Sequence, residues 1–223
     1  MGAFNQLSAY YPEGLVKKAK ELNYSDSNLL ILVGDEQGLK NSYPDVYANL
    51  LSCGHNKDGR SFMEYAQDLV ASWVFEDDLM AQLRAGGLVI KGAGTDKDRE
   101  LLATNTVSAS SDCVVSWDGK SVLLELMSDY TGYWTRYGQM DLRDEKYHKL
   151  KNSSSLFLGV STKDQKFIFL DFTANINATH IPSHKPYGGK PAYQIKLNGA
   201  SLLPFNIGQL VKLIKSTIES RTI

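Results

Sequence analysis

Residues 110–129 read SSDCVVSWDGKSVLLELMSD: two apolar runs around Asp118-Gly119, with an acid on each run. Asp-Gly is a two-residue hairpin signal, because both central positions of a type I′ turn need positive φ. The flanks are rich in Val and Leu and short enough to be strands. With Asp118 and Gly119 as the loop, Trp117 faces Lys120, and opposed residues have numbers summing to 237. Asp112 and Glu125 are such a pair. Their Cβ atoms would lie roughly 4.5–5.5 Å apart on one face, where like charges repel unless a positive group sits between them. A hard divalent cation such as Mg²⁺ takes carboxylate oxygens and would satisfy both. The alternative is a pair of incidental acids, or a longer turn that shifts the register by one residue.

The rest of the chain sets bounds. Its 223 residues are 43% hydrophobic and 22% charged, enough for a real core, and one domain over 1–223 is the simplest reading. Net charge is −1, from 24 basic and 25 acidic side chains, which argues against a generic polyanion binder. Acids in a metal site can still mask a basic cleft, and 12 tyrosines add polar contacts that net charge does not count. Two cysteines, Cys53 and Cys113, make no disulfide framework, and Cys113 reads as a small core thiol. No signal peptide, myristoylation pattern or 18-residue apolar run is evident, so an intracellular, cytoplasmic protein of a prokaryote or phage is expected, without a membrane.

Along the chain, 12–22 spaces apolar residues like a short helix, 28–34 is a strand or a buried helix, and 35–45 and 53–60 read as turn and loop. Residues 61–85 form the clearest helix, with Ser61 and Glu64 as a capping box and Gly86-Gly87 as the stop. Residues 88–102 are a short apolar stretch and a charged loop, and no Gly-Lys-Ser/Thr follows Gly92 and Gly94, which removes phosphate-loop chemistry. After the hairpin come an aromatic loop (129–139), a helix over 141–151 with Asp141 as cap, strands over 155–161 and 166–172, a long polar loop over 173–197 and an amphipathic helix over 203–220. That order predicts an α/β fold with a central mixed β-sheet flanked by helices.

Asp112, twelve residues, then Glu125-Leu126-Met127, on a hairpin followed by helix and strand, resembles the PD-(D/E)xK nuclease superfamily. The resemblance spans a core of about 59–173, with the loop and helix of 174–223 as DNA-contact or dimer additions, and GRSFMEY (59–65) is similar to the opening of the family's first conserved helix. It implies a restriction-endonuclease-like fold and a Mg²⁺-dependent endonuclease leaving 5′-phosphate and 3′-hydroxyl ends. Asp112 and Glu125 would be the metal ligands, and Glu64 a supporting acid, although on a helical wheel Glu76 lies nearer the buried stripe. Asp129 would share a strand face with Glu125 if the strand ran that far. Met127 stands where the motif has lysine; Lys146 on the next helix is the candidate replacement, ahead of Lys120. DNA contacts are expected from Arg136 in YWTRYG and from Lys185, Tyr187 and Lys190 in HKPYGGKPAY, unless these are ordinary surface loops. Size and layout suit a type II restriction enzyme, a homodimer reading a palindromic double-stranded DNA site, with a junction- or structure-selective nuclease and a silent DNA-binding fold as rivals. His180 and His184 lie four apart, but Pro182 between them argues against a helix presenting both to zinc.

Overall fold

The computed structural model describes residues 14–52, 61–93, 98–100, 111–198 and 201–221. The N-terminal stretch, the loop expected at 53–60 with Cys53, and parts of the charged segment before 102 lie outside the described residues. The described residues cluster into two compact units: 14–81 with 98–100, and 82–93 with 111–221.

The first unit is helical. It holds α1 (Leu15–Glu21), α2 (Asp26–Val33), α3 (Glu36–Ser42), α4 (Pro44–Ser52) and most of α5 (Phe62–Ala85). The apolar run at 28–34 is therefore helix, capped by the Ser25 hydroxyl on the N–H of Asn28 and ended by Gly34 at φ 73°. The segment expected as turns, 35–45, is mostly helix too. The Asp35 carboxylate caps α3 through the N–H of Gly38 at 2.8 Å, and Pro44 opens α4, where its missing N–H costs nothing. Ile31, Leu39, Leu50, Met63, Ala66, Val70 and Trp73 close the core of this unit.

The second unit carries a six-stranded sheet in the order β1-β2-β3-β5-β6-β9: Val89–Gly92, Cys113–Trp117, Lys120–Asp129, Leu156–Ser161, Lys166–Asp171 and Leu202–Pro204. Only β3 and β5 run parallel. The hairpin register is the expected one, with Trp117 facing Lys120 and Cys113 facing Leu124, and Asp118 and Gly119 sit at φ 48° and 74°. Alternation along β3 and β5 sends Leu124, Leu126, Leu156, Leu158 and Val160 to one face, which α8 (Ile207–Ser220) covers with Leu210, Val211, Ile214 and Ile218. Glu125, Met127, Phe157 and Gly159 point to the other face, under Tyr147 and Leu150 of α7 (Asp144–Asn152). The fold is thus mixed α/β, with a central mixed sheet flanked by helices. Among the described residues no helix is long and apolar enough to cross a membrane.

Three further expectations are corrected here. Asp141 does not cap a helix: it lies in β4 (Gln139–Arg143), and α7 starts at Asp144 with Asp144 and Glu145 in its first turn. The stretch 173–197 is not a long loop but mostly β7 (Ala178–His184) and β8 (Lys190–Lys196), joined by a short 3-10 turn at Lys185–Tyr187. With β4 they form a second antiparallel sheet, order β4-β8-β7. Its edge strand is polar, and Pro182 falls where the pairing shifts between Ile181 and His184, so no apolar run marks it. The aromatic loop likewise contains a short helix, α6 (Tyr133–Tyr137).

Candidate active site

The pairing of β2 with β3 stops at Cys113, one step before Asp112 would face Glu125. There the side chain takes over from the main chain: the Asp112 carboxylate accepts the N–H of Leu126 at 2.7 Å. The Asp112 carbonyl meanwhile accepts from the N–H of Ala93, just past β1, so the residue is held by its neighbours on both flanks of β2. Next to it the Cys113 thiol is fully buried and lies 3.7 Å from the Leu124 carbonyl oxygen.

Glu125 is 4% exposed in the middle of β3. A carboxylate that deep needs a positive partner or a cation. The Lys146 ammonium, carried down from α7, pairs with its Oε1. Lys146 remains about a third exposed, so the charge sits at the rim of the site, not inside it. Met127, at the motif's lysine position, packs instead against the apolar cluster of Trp134, Leu142 and Tyr147. An ammonium there would be partly desolvated. Asp112, Glu125 and Lys146 are therefore brought together. Two carboxylates at adjoining positions of a hairpin are a donor set suited to a hard divalent ion. Among the described residues no group of three or more His, Cys, Asp or Glu side chains is arranged to hold a metal.

The remaining candidates have local partners of their own. Glu64 completes the capping box of α5, accepting the Ser61 N–H at 2.7 Å while Ser61 Oγ accepts the Glu64 N–H at 3.2 Å. Glu76, in the same helical unit, pairs with Arg99 at 3.0 Å. Asp129, on the Glu125 face, is a loop anchor: it accepts the N–H groups of Thr131, Gly132 and Trp134 and the Thr131 hydroxyl. Lys120 caps the end of α8, donating to the carbonyls of Glu219 and Arg221.

Among the expected DNA contacts, Arg136, Lys185 and Lys190 are exposed. Tyr187 is engaged within the fold: its hydroxyl donates to the Asp141 carbonyl at 2.7 Å, the Arg143 guanidinium lies over its ring, and burial followed by the nearby Asp141 charge raises its pKa. His180 and His184 part company. His184 is buried with Nε2 3.2 Å from the Asp141 carboxylate, whereas His180 is half exposed with Nε2 3.4 Å from Asp144. Sequence reasoning missed Asp141, a carboxylate that also accepts from the Tyr133 hydroxyl at 2.8 Å and from Gln194. Its only signal was the misread cap.

No family model matches the sequence, and no curated protein matches it. Solved structures similar to the chain include a Holliday junction resolvase, Hjc, from the archaeal hyperthermophile Archaeoglobus fulgidus. That match has 12% sequence identity, covers 61% of this chain and 97% of the resolvase, and has a TM-score of 0.39.

Proposed function

We propose that this chain is a Mg²⁺-dependent endonuclease of the PD-(D/E)xK type that hydrolyses phosphodiester bonds of double-stranded DNA. The observation that carries the reading is the meeting of Asp112, Glu125 and Lys146: two carboxylates on a hairpin and a cation from a separate helix on the buried one. Asp112 and Glu125 would hold the metal, which when bound polarises the scissile phosphate and lowers the pKa of a water. Lys146 supplies positive charge at the rim, where it orients the attacking water or meets the charge that develops on the phosphate. Arg136, Lys185 and Lys190 supply exposed cations for phosphates, and Tyr187 braces the turn that carries Lys185 and leads to Lys190. Among substrates, a near-neutral surface fits recognition by base-edge contacts better than bulk phosphate attraction, which favours a homodimeric restriction enzyme at a palindromic site.

The test is a digest of a long sequenced DNA with purified protein, in Mg²⁺ and in EDTA. Discrete bands only in Mg²⁺ are expected, with none from Asp112→Ala. A smear overturns the site-specific part of the reading, and DNA left intact in both Mg²⁺ and Mn²⁺ overturns the duplex endonuclease. Independently of cleavage, Ca²⁺ is expected to raise the Tm of the wild type but not of Asp112→Ala.

A further inference from the structure

A lysine on β3 two residues after Glu125 would be placed by the sheet itself. Here the ammonium hangs from α7, and a helix is placed by what its buried side chains touch. Only Tyr147 and Leu150 are buried on α7. Tyr147, adjacent to Lys146, has its ring against two others: Phe172 beyond the end of β6, edge-on with centroids 5.7 Å apart at 70°, and Tyr193 of β8, stacked at 3.9 Å and 15°. Tyr193 also has His148 of α7 edge-on at 5.3 Å, and its hydroxyl lies 3.4 Å from His148 Nε2. From β7, His180 reaches Asp144 at the start of α7. The second sheet therefore grips α7 at 144, 147 and 148, on both sides of Lys146. Tyr193 is the centre of that grip, and its strand is fixed on both flanks, with Leu142 and His180 as its ladder partners.

We infer that Tyr193 is a positioning residue for the Lys146 ammonium, and that the small sheet serves as the seat of α7. The inference deepens the nuclease reading and rests on it for its catalytic meaning. A flat ring stacked at 3.9 Å resists rolling of the helix in a way that an aliphatic chain of similar volume does not. When the seat is lost, α7 rolls and the ammonium leaves Glu125 while Asp112 and Glu125 stay where the hairpin puts them.

The experiment compares wild type, Tyr193→Phe and Tyr193→Leu by trace acetylation with acetic anhydride, read by mass spectrometry as Lys146 modification relative to exposed Lys185. The Leu variant is expected to label Lys146 several-fold faster, and the Phe variant, which keeps the ring, at the wild-type rate. In the digest, Leu is expected to lower kcat about tenfold to a hundredfold, the scale for a reacting group displaced by an ångström, with little change in KM or in Ca²⁺ binding. Equal Lys146 labelling in a folded Leu variant overturns the inference. Should Leu lose cooperative unfolding, Tyr193→Met takes its place, with the same two outcomes. The two readings fail separately. Asp112-dependent cleavage with labelling that ignores position 193 sinks the positioning role alone; labelling that follows position 193 in a protein that cuts nothing sinks the nuclease alone.

Discussion

Each unit of the molecule sets two carboxylates against one cation, and the two arrangements have opposite characters. In the helical unit, Arg99 pairs with Glu76 at 3.0 Å and with Asp77 at 2.6 Å, its guanidinium lies near the Trp73 ring, and the Tyr24 hydroxyl donates to Asp77 at 2.5 Å. Burial works against the Arg99 charge, but the Asp77 hydrogen bond and the two carboxylates outweigh it and raise its pKa. In the sheet unit, Lys146 touches Glu125, and Asp112 is held by a main-chain N–H. A guanidinium is a rigid fork that fixes two acids at once, whereas an ammonium is a point charge on a long flexible stem. The same count of charges thus yields a cross-link in one unit and an arrangement able to exchange partners in the other.

That contrast can be broken by experiment. The largest expected effect is on chemistry: Asp112→Ala or Glu125→Gln should cut the cleavage rate at least about 10²–10³-fold while leaving the circular dichroism unchanged. Next, Arg99→Met should lower stability by about 3 kcal/mol in urea unfolding, because two partly buried acids lose their partner, yet leave the rate per folded molecule unaltered. A large rate loss in Arg99→Met with intact stability would reverse the assignment of the two groups. Third, Gly159→Ala tests how rigid the Glu125 face is. A Cβ there would meet the Trp134 ring at 2.8 Å, so a loss of about 1–3 kcal/mol is expected, and a neutral result would mean the face yields.

The smallest effect concerns a third acid–base pair, Asp171 with Arg221. Burial pushes the Asp171 carboxyl up, but the Arg221 hydrogen bond and the N–H and hydroxyl of Thr173 outweigh it and hold the group below its ordinary value. A lowered folded pKa contributes stability above the unfolded value and loses it as pH falls through the folded one. The Tm gap between wild type and Arg221→Ala should therefore persist at neutral pH and close in strong acid; a gap that widened on acidification would contradict the pairing.

The hairpin was legible because its register depends on one local signal, Asp118-Gly119, and every other pairing in it follows. The start of α5 was legible for the same reason, since Ser61 and Glu64 are a local device. Lys146 was reachable only through the missing motif lysine, because nothing in its own neighbourhood distinguishes it from Lys149 or Lys151. What escaped was structure held by distant contacts. Helices α3 and α4 have seven and nine residues, too short for periodicity to speak over Gly38 and Pro44. The second sheet draws its apolar residues from β4 and β8, more than forty positions apart, so no window of sequence contains its pattern. A polar loop of some twenty-five residues in a compact fold was itself a reason to look for strands.

The enclosed thiol beside Asp112 makes the hairpin a clock. Cys113 has no exposed surface and shares the Leu124 face of the sheet, so a thiol reagent reaches it only when the packing over that face opens. In a chain with Cys53→Ser, the rate of Cys113 modification would time that opening, and an ion bridging the two neighbouring carboxylates would slow the clock by a factor that grows with its concentration relative to its Kd.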